Sequence, residues 1–376
     1  MGGPRSKYPR FWAFVFYLCA MAGIQFNTKE HPFFDELKKK VDNYFATNDI
    51  KPTGNFKLYS KTTILFLSFG VIFWLLVFVP MPIWLSVILC SLFGINLAAI
   101  GFNVMHDGAH GSFSSKTWVN EIMGHSLNLM GGDVHLWKIK HNLIHHSFTN
   151  IDGYDDDIDI KPFMRTTTIQ PKKPIHEWQH IYSVALYSLT YVLWIFYFDW
   201  KKYFSGKIGM TPIRKFSTKD HIIFWATKII HFGFFFALPM YTVGILPTII
   251  GYFIAAFVCG MILSYVFQMA HVMENTEFVD PNVSDGKLED EWAVHQIKTT
   301  SNFATQNKVI SWFTGGLNYQ VEHHLFPRIS HVHYPELNKL VKETCAQFGV
   351  RYNEYKTVVS AVKSHVNHLK TMGQTA

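Results

Sequence analysis

Two long uncharged runs set the pattern of the chain. Residues 62–79 and 82–105 contain no Asp, Glu, Lys or Arg. At 1.5 Å per residue the first run alone is about 27 Å long, close to the depth of a bilayer core. Pro80 and Pro82 stand between them, where a helix cannot continue. The pair predicts a helical hairpin through a membrane rather than the core of a soluble domain. A second hairpin is predicted over residues 221–270, with Pro239 and Pro247 bracketing its turn.

A fifth apolar run, residues 181–198, is also long enough to span, but it has basic residues on both flanks. Lys and Arg in short loops mark the cytoplasmic side of a membrane. The two hairpin turns contain neither, so both termini and the 106–220 region are expected on the cytoplasmic side. Four spans satisfy that arrangement. Residues 181–198, rich in Tyr and Trp, are therefore read as an interfacial helix. The resulting division is a cytosolic N-terminal segment (1–61), hairpin one (62–105), and a cytosolic part (106–220). Hairpin two (221–270) and a cytosolic C-terminal part (271–376) follow. The fold class is an all-α integral membrane protein with four transmembrane helices in two hairpins.

Ahead of the first hairpin, Phe34, Leu37, Val41, Tyr44 and Phe45 recur at helical spacing and predict an amphipathic helix on the cytoplasmic surface. The first 22 residues have a basic start and an apolar stretch ending in Ala20-Met21-Ala22. They fit a signal peptide, an extension upstream of a start at Met21, or a short surface anchor.

Composition agrees with a membrane class. Hydrophobic residues make up 49% of the 376 and charged residues 16%, against about 25% charged in ordinary soluble domains. Four scattered Cys with no CxxC pair exclude a disulfide scaffold and a thiolate metal site. The net charge of +7 follows from the basic cytoplasmic loops and also suits an acidic soluble partner. No nucleic-acid partner is expected.

The candidate chemistry lies in the histidines. Three clusters, HDGAH (106–110), HNLIHH (141–146) and QVEHH (320–324), each lie near an expected membrane boundary. His106 and His110 are four apart and share a helix face, and so do His141 and His145. Gln320 and His324 repeat the spacing, with His146 and His323 adjacent to these pairs. His271, at the end of the last expected span, sits at the same depth and is an eighth candidate. Imidazole donors suit iron, copper, zinc or nickel rather than magnesium or calcium. Seven or eight imidazoles exceed the needs of one ion, so two ions are implied. Gln268, three residues before His271, could assist through a water. Ligating His commonly donates its other N–H to a carboxylate, and Asp155 and Asp157 in DGYDDDID (152–159), Asp107 and Glu322 are candidates for that role. His125, His135 and His295 lack paired spacing and are read as loop or supporting residues. Redox iron beside apolar helices would let oxygen attack an unactivated C–H bond of a lipid chain.

At this point the residues match a known family. HDGAH, HNLIHH and QVEHH resemble the three histidine boxes of the membrane fatty acid desaturases. The Gln-led third box, GGLNYQVEHHLFP (315–327), resembles the front-end members, which place a double bond between an existing one and the carboxyl end. HHSFTNIDGYDDDID and SHVHYPEL are similar to linoleoyl-CoA (Δ6-type) desaturases. The resemblance covers residues 24 to 360. It implies a cytosolic helical layer holding two Fe ions, with ligands His106, His110, His141, His145, His146, His271, His323 and His324. Gln320 stands where a ninth imidazole would be. It further implies an acyl-CoA or acyl-lipid substrate, O2, and two electrons that remove two hydrogens from adjacent carbons. Neither an HPGG haem motif nor GxGxxG occurs in these residues, so a separate donor, a ferredoxin or cytochrome b5, is expected. Two rivals remain at this stage: a hydroxylase or ketolase on the same site, and a histidine-rich membrane metal transporter.

Overall fold

The computed structural model describes residues 24–27, 31–282 and 286–375. The readings of residues 1–22 lie outside them. The fold is mostly helical, with two short two-stranded ladders: Lys207–Ile208 against Thr211–Pro212, and Asn302–Phe303 parallel to Glu354–Tyr355.

Among the described residues five helices are long and apolar enough to cross a membrane. The amphipathic helix α1 (Pro32–Thr47) precedes them and buries Phe33, Leu37 and Val41. The five are α2 (Phe56–Phe78), α3 (Ile83–His110), α4 (Pro174–Ser205), α5 (Thr218–Thr242) and α6 (Ile245–His271). Helix α2 begins six residues before the uncharged run because Asn55 caps it, accepting from the Lys57 amide. Helix α3 outlasts its apolar run because a π-bulge at Gly101–Met105 carries it straight into the first histidine cluster. Such wide turns recur at functional sites.

The bundle is held by close backbone approaches. A Cβ at Gly94 would collide with the Ala255 carbonyl oxygen, so α3 can lie against α6 only with glycine there. A Cβ at Gly260 would stand 2.7 Å from the Ser188 carbonyl oxygen, which sets α4 equally close to α6. Outside this core, Leu67, Val71, Trp74, Ile83, Tyr241 and Leu246 are exposed. A row of large apolar side chains on the outer faces of such helices fits a hydrocarbon surround and would be costly in water.

Helices α3 and α6 end at His110 and His271, and the turns that start them lie at their far ends. Helix α4 is arranged differently, because both of its ends meet the histidine-bearing layer. Near its start, Gln179 donates to the carbonyls of Leu369 (2.7 Å) and Arg165 (2.8 Å). Near its end, Asp199 accepts the Asp133 amide at 2.9 Å, and Lys202 stands 3.5 Å from Asp156. Asp199 also pairs with Lys228 of α5 at 2.9 Å.

The histidine-bearing layer is built from short helices and loops. They include α7 (Trp292–Thr299), α8 (Gln320–Leu325), α9 (Tyr334–Phe348) and α10 (Val358–Gln374). Buried Arg165 fixes the chain end by donating to the carbonyls of Met372 and Thr375, at 2.9 and 2.8 Å.

Candidate metal centre

The three clusters and the end of α6 meet at one place. His106 and His110 face inward from the last turns of α3, their rings 4.6 Å apart. The second cluster lies on a π-helical stretch, Lys138–His145, with His141 and His145 stacked at 5.1 Å, and His146 starts the short α-helical turn that follows. Helix α8 adds His323 and His324, and α6 adds His271. Two all-imidazole groups of donor atoms result, each with all members within 4.8 Å of one another, and a third set of His141, His145 and Asp157 overlaps both. Of the two groups, one is His106, His110, His141 and His323; the other is His145, His271 and His324. His146 lies between them, with its ring 4.7 Å from His323 and 4.4 Å from His324.

The unpaired atoms show what the donor set fits. The Nε2 atoms of His106, His110, His141, His145, His146, His323 and His324 are all buried without a hydrogen-bond partner. A buried polar atom left unpaired is costly, and native structures carry few. Seven on converging rings fit cations at their focus. His271 differs, since its Nε2 meets the Gln320 amide nitrogen at 3.1 Å, so Gln320 sits at the second group.

The opposite ring nitrogens are held from behind. His145 Nδ1 faces Asp155 at 3.0 Å and His141 Nδ1 faces Asp157 at 3.2 Å. His323 Nδ1 meets the Tyr334 hydroxyl at 3.1 Å, and His324 Nδ1 meets Gln296 Oε1 at 2.7 Å. Asp155 is itself fixed, accepting from the amides of Asn150 and Asp157 at 3.0 Å. Burial holds the imidazoles of His146, His323 and His324 well below their ordinary pKa, in the neutral form that binds metals. Burial also lowers His141, in spite of Asp157. At His145 burial is outweighed by the Asp155 carboxylate, and the pKa rises.

Asp107, Glu322 and Gln268 are placed otherwise. Asp107 accepts from Ser330 Oγ at 2.7 Å and stands 3.0 Å from His331, tying the first cluster to the segment after the third. Glu322 accepts from Asn302, Asn338 and the Tyr352 hydroxyl, which anchor α8 from behind. Gln268 is buried, with its Oε1 unpaired. His295 donates to or accepts at none of the clustered imidazoles and meets the Thr149 carbonyl at 2.9 Å. Sequence spacing did not single out Gln296, Tyr334 or Asn150. Gln296 and Asn150 act through contacts far away in the chain and Tyr334 reaches His323 across a turn, and no local repeat announces such contacts. Asn150 adopts a left-handed φ of 57° and donates to the carbonyls of His271, Glu277 and Thr299.

The comparisons with known proteins agree with this geometry. The family model described as "Fatty acid desaturase" matches residues 82–356. The sn-1 linoleoyl-lipid 6-desaturase of Synechocystis sp. is 35% identical, over 93% of this chain and 98% of its own length. An acyl-lipid (8-3)-desaturase of Physcomitrium patens is also 35% identical, over 93% of this chain and 73% of its own length. The sn-1 linoleoyl-lipid 6-desaturase of Arthrospira platensis matches at 35% over 90% of this chain and 92% of its own length. The chain belongs to the fatty acid desaturase family. It is accordingly an enzyme, a desaturase acting on fatty acyl chains.

Proposed function

We propose that this desaturase holds two iron ions, one at each imidazole group, and places a cis double bond on the carboxyl side of an existing one. The observation that carries the reading is the convergence of seven buried, unpartnered Nε2 atoms. His106, His110, His141 and His323 are assigned to one ion and His145, His271 and His324 to the other. His146 joins from between them, and Gln320, whose amide nitrogen meets His271 Nε2 at 3.1 Å, would turn its amide to free His271 and offer the second ion a weaker oxygen donor or hold a water. When bound, the iron pair supplies the oxidising power that draws on O2 and two electrons. The protein's own residues do the rest. Asp155 and Asp157 keep the protons of His145 and His141 on Nδ1 and so turn Nε2 inward. The surrounding apolar helices admit an acyl chain and exclude water.

A linoleoyl-type chain, dehydrogenated at the Δ6 position, is the favoured substrate, since two of the relatives above carry that activity in their names. Electrons come from a separate donor, a ferredoxin or cytochrome b5. Four spans, α2, α3, α5 and α6, cross the membrane with the iron site on the cytoplasmic side. Helix α4 lies partly embedded without crossing. Two observations support that topology: both ends of α4 contact the histidine-bearing layer, and the turns at 79–82 and 243–244 carry no Lys or Arg.

The test is expression in a host fed linoleate, with double-bond mapping of its lipids by mass spectrometry. A new double bond at Δ6 supports the reading. A hydroxylated chain assigns the site to the hydroxylase outcome, and unchanged lipids together with metal uptake into vesicles assign it to transport.

A further inference from the structure

We infer that Gln296 is a positioning residue that fixes which nitrogen of His324 faces the second metal position. The inference rests on the two-ion reading above. Gln296 lies on α7, far in sequence from every histidine cluster, and is fully buried. Its Oε1 meets His324 Nδ1 at 2.7 Å and Thr149 Oγ1 at 2.8 Å. Thr149 Oγ1 stands 2.7 Å from the His145 carbonyl and 3.3 Å from His324 Nδ1 as well, so its single proton is shared between the Gln296 and His145 oxygens. One side chain on α7 therefore touches the box-three imidazole directly and the box-two helix through a hydroxyl.

The chemistry of the contact is selective. An amide oxygen accepts and an amide nitrogen donates. With Oε1 toward His324, the imidazole must carry its proton on Nδ1, and the lone pair on Nε2 is free for a cation. With the amide turned over, its N–H would donate to Nδ1 and drive the proton to Nε2, closing the ligand. The orientation in the structure is the open one, and His324 Nε2 is indeed buried and unpartnered. The two groups are built alike in this respect. Each has one box-two imidazole backed by a carboxylate, His141 by Asp157 and His145 by Asp155. Each also has one box-three imidazole backed by a neutral group, His323 by the Tyr334 hydroxyl and His324 by Gln296. Tyr334 can donate or accept, so of the two box-three imidazoles only His324 has a partner whose orientation decides the tautomer.

The experiment uses the full-length protein in lipid nanodiscs, loaded anaerobically with Fe(II) or, as a spectroscopic probe, Co(II). Metal content and the Co(II) ligand-field bands are read for wild type, Gln296→Leu and Gln296→Glu. The inference expects Gln296→Leu to weaken one of two ions by about 10- to 100-fold, the usual cost of losing an outer partner of a ligating imidazole. It expects Gln296→Glu, which keeps an acceptor oxygen, to restore the second ion with shifted bands for that ion alone. Wild-type binding by Gln296→Leu would overturn it. If Gln296→Leu does not fold, a Gln296→Glu spectrum identical to wild type would overturn it as well. A wild-type protein that takes up no metal would instead refute the two-ion reading itself.

Discussion

The two imidazole groups differ in how they are assembled. The first takes four histidines, and two of them, His106 and His110, are successive on one helix end. The second takes three, each from a different element: His145 from the π-helical stretch, His271 from α6 and His324 from α8. It adds a neutral amide, Gln320. Local helix geometry presets half of the first group, whereas tertiary contacts must position every donor of the second. Asn150, Gln296 and Asp155 do this, and all three are fully buried around it. The three-imidazole group therefore depends more on contacts from distant segments than the four-imidazole group does.

The largest expected effect comes from taking one imidazole from each group. His145→Ala and His323→Ala should each lower linoleate conversion by more than about 100-fold, beyond the loss seen for outer partners of ligands. Fatty acid analysis of fed cells measures this. Metal content should separate the two, because each variant empties a different position. Conversion above about a tenth of wild type in both would remove the ligand assignment.

Next in size are the carboxylates. Asp155→Ala and Asp157→Ala should each weaken one ion by about 10- to 100-fold, with Asp155→Ala the more damaging. Asp155 is buried and also holds two backbone amides, whereas Asp157 is shared with Lys140 at 2.6 Å. Metal titration of both variants checks the order, and equal losses would erase the asymmetry between the groups.

Asn150→Ala should act on stability. It removes a donor from the buried carbonyls of His271 and Thr299, of which His271 keeps Thr276 Oγ1, and puts alanine at a left-handed φ, for about 2 kcal/mol of lost stability. Thermal unfolding of metal-free protein measures it, and a midpoint unchanged from wild type would show that the seam around His271 holds without it.

The last effect, smallest in what a single substitution should change, is the share of the pH dependence that lies outside both groups. Burial pushes His295 and His365 down to about 4. Each is therefore neutral when folded and takes up a proton more readily when unfolded, so its stabilising share is present above about pH 6.5. That share is lost as pH falls toward 4. Thermal midpoints of metal-free protein should decline across that window, and His365→Gln should flatten part of the decline.

The sequence made some of this visible and hid the rest for definite reasons. The i,i+4 histidine pairs are local, so their common face could be read directly, and the uncharged runs marked the hairpins. The reach of α3 through its π-bulge to His110 was hidden, because the apolar pattern stops at Met105. The full extent of α4 was hidden too, since its polar ends are stabilised by Leu369, Asp133 and Asp156 from distant segments. Gln296 illustrates the limit best. It stands beside His295, which the pattern did single out for weighing, yet the glutamine is the residue that reaches His324.

Helices α3 and α6 each run without a break from the far turn to a histidine, and they touch closely at Gly94. Such a pair acts as a lever. Thinner or thicker lipid, by tilting the rods together, would displace His110 and His271 in concert, so the acyl-chain length of the surrounding membrane gains a mechanical route to the centre that alters those same chains.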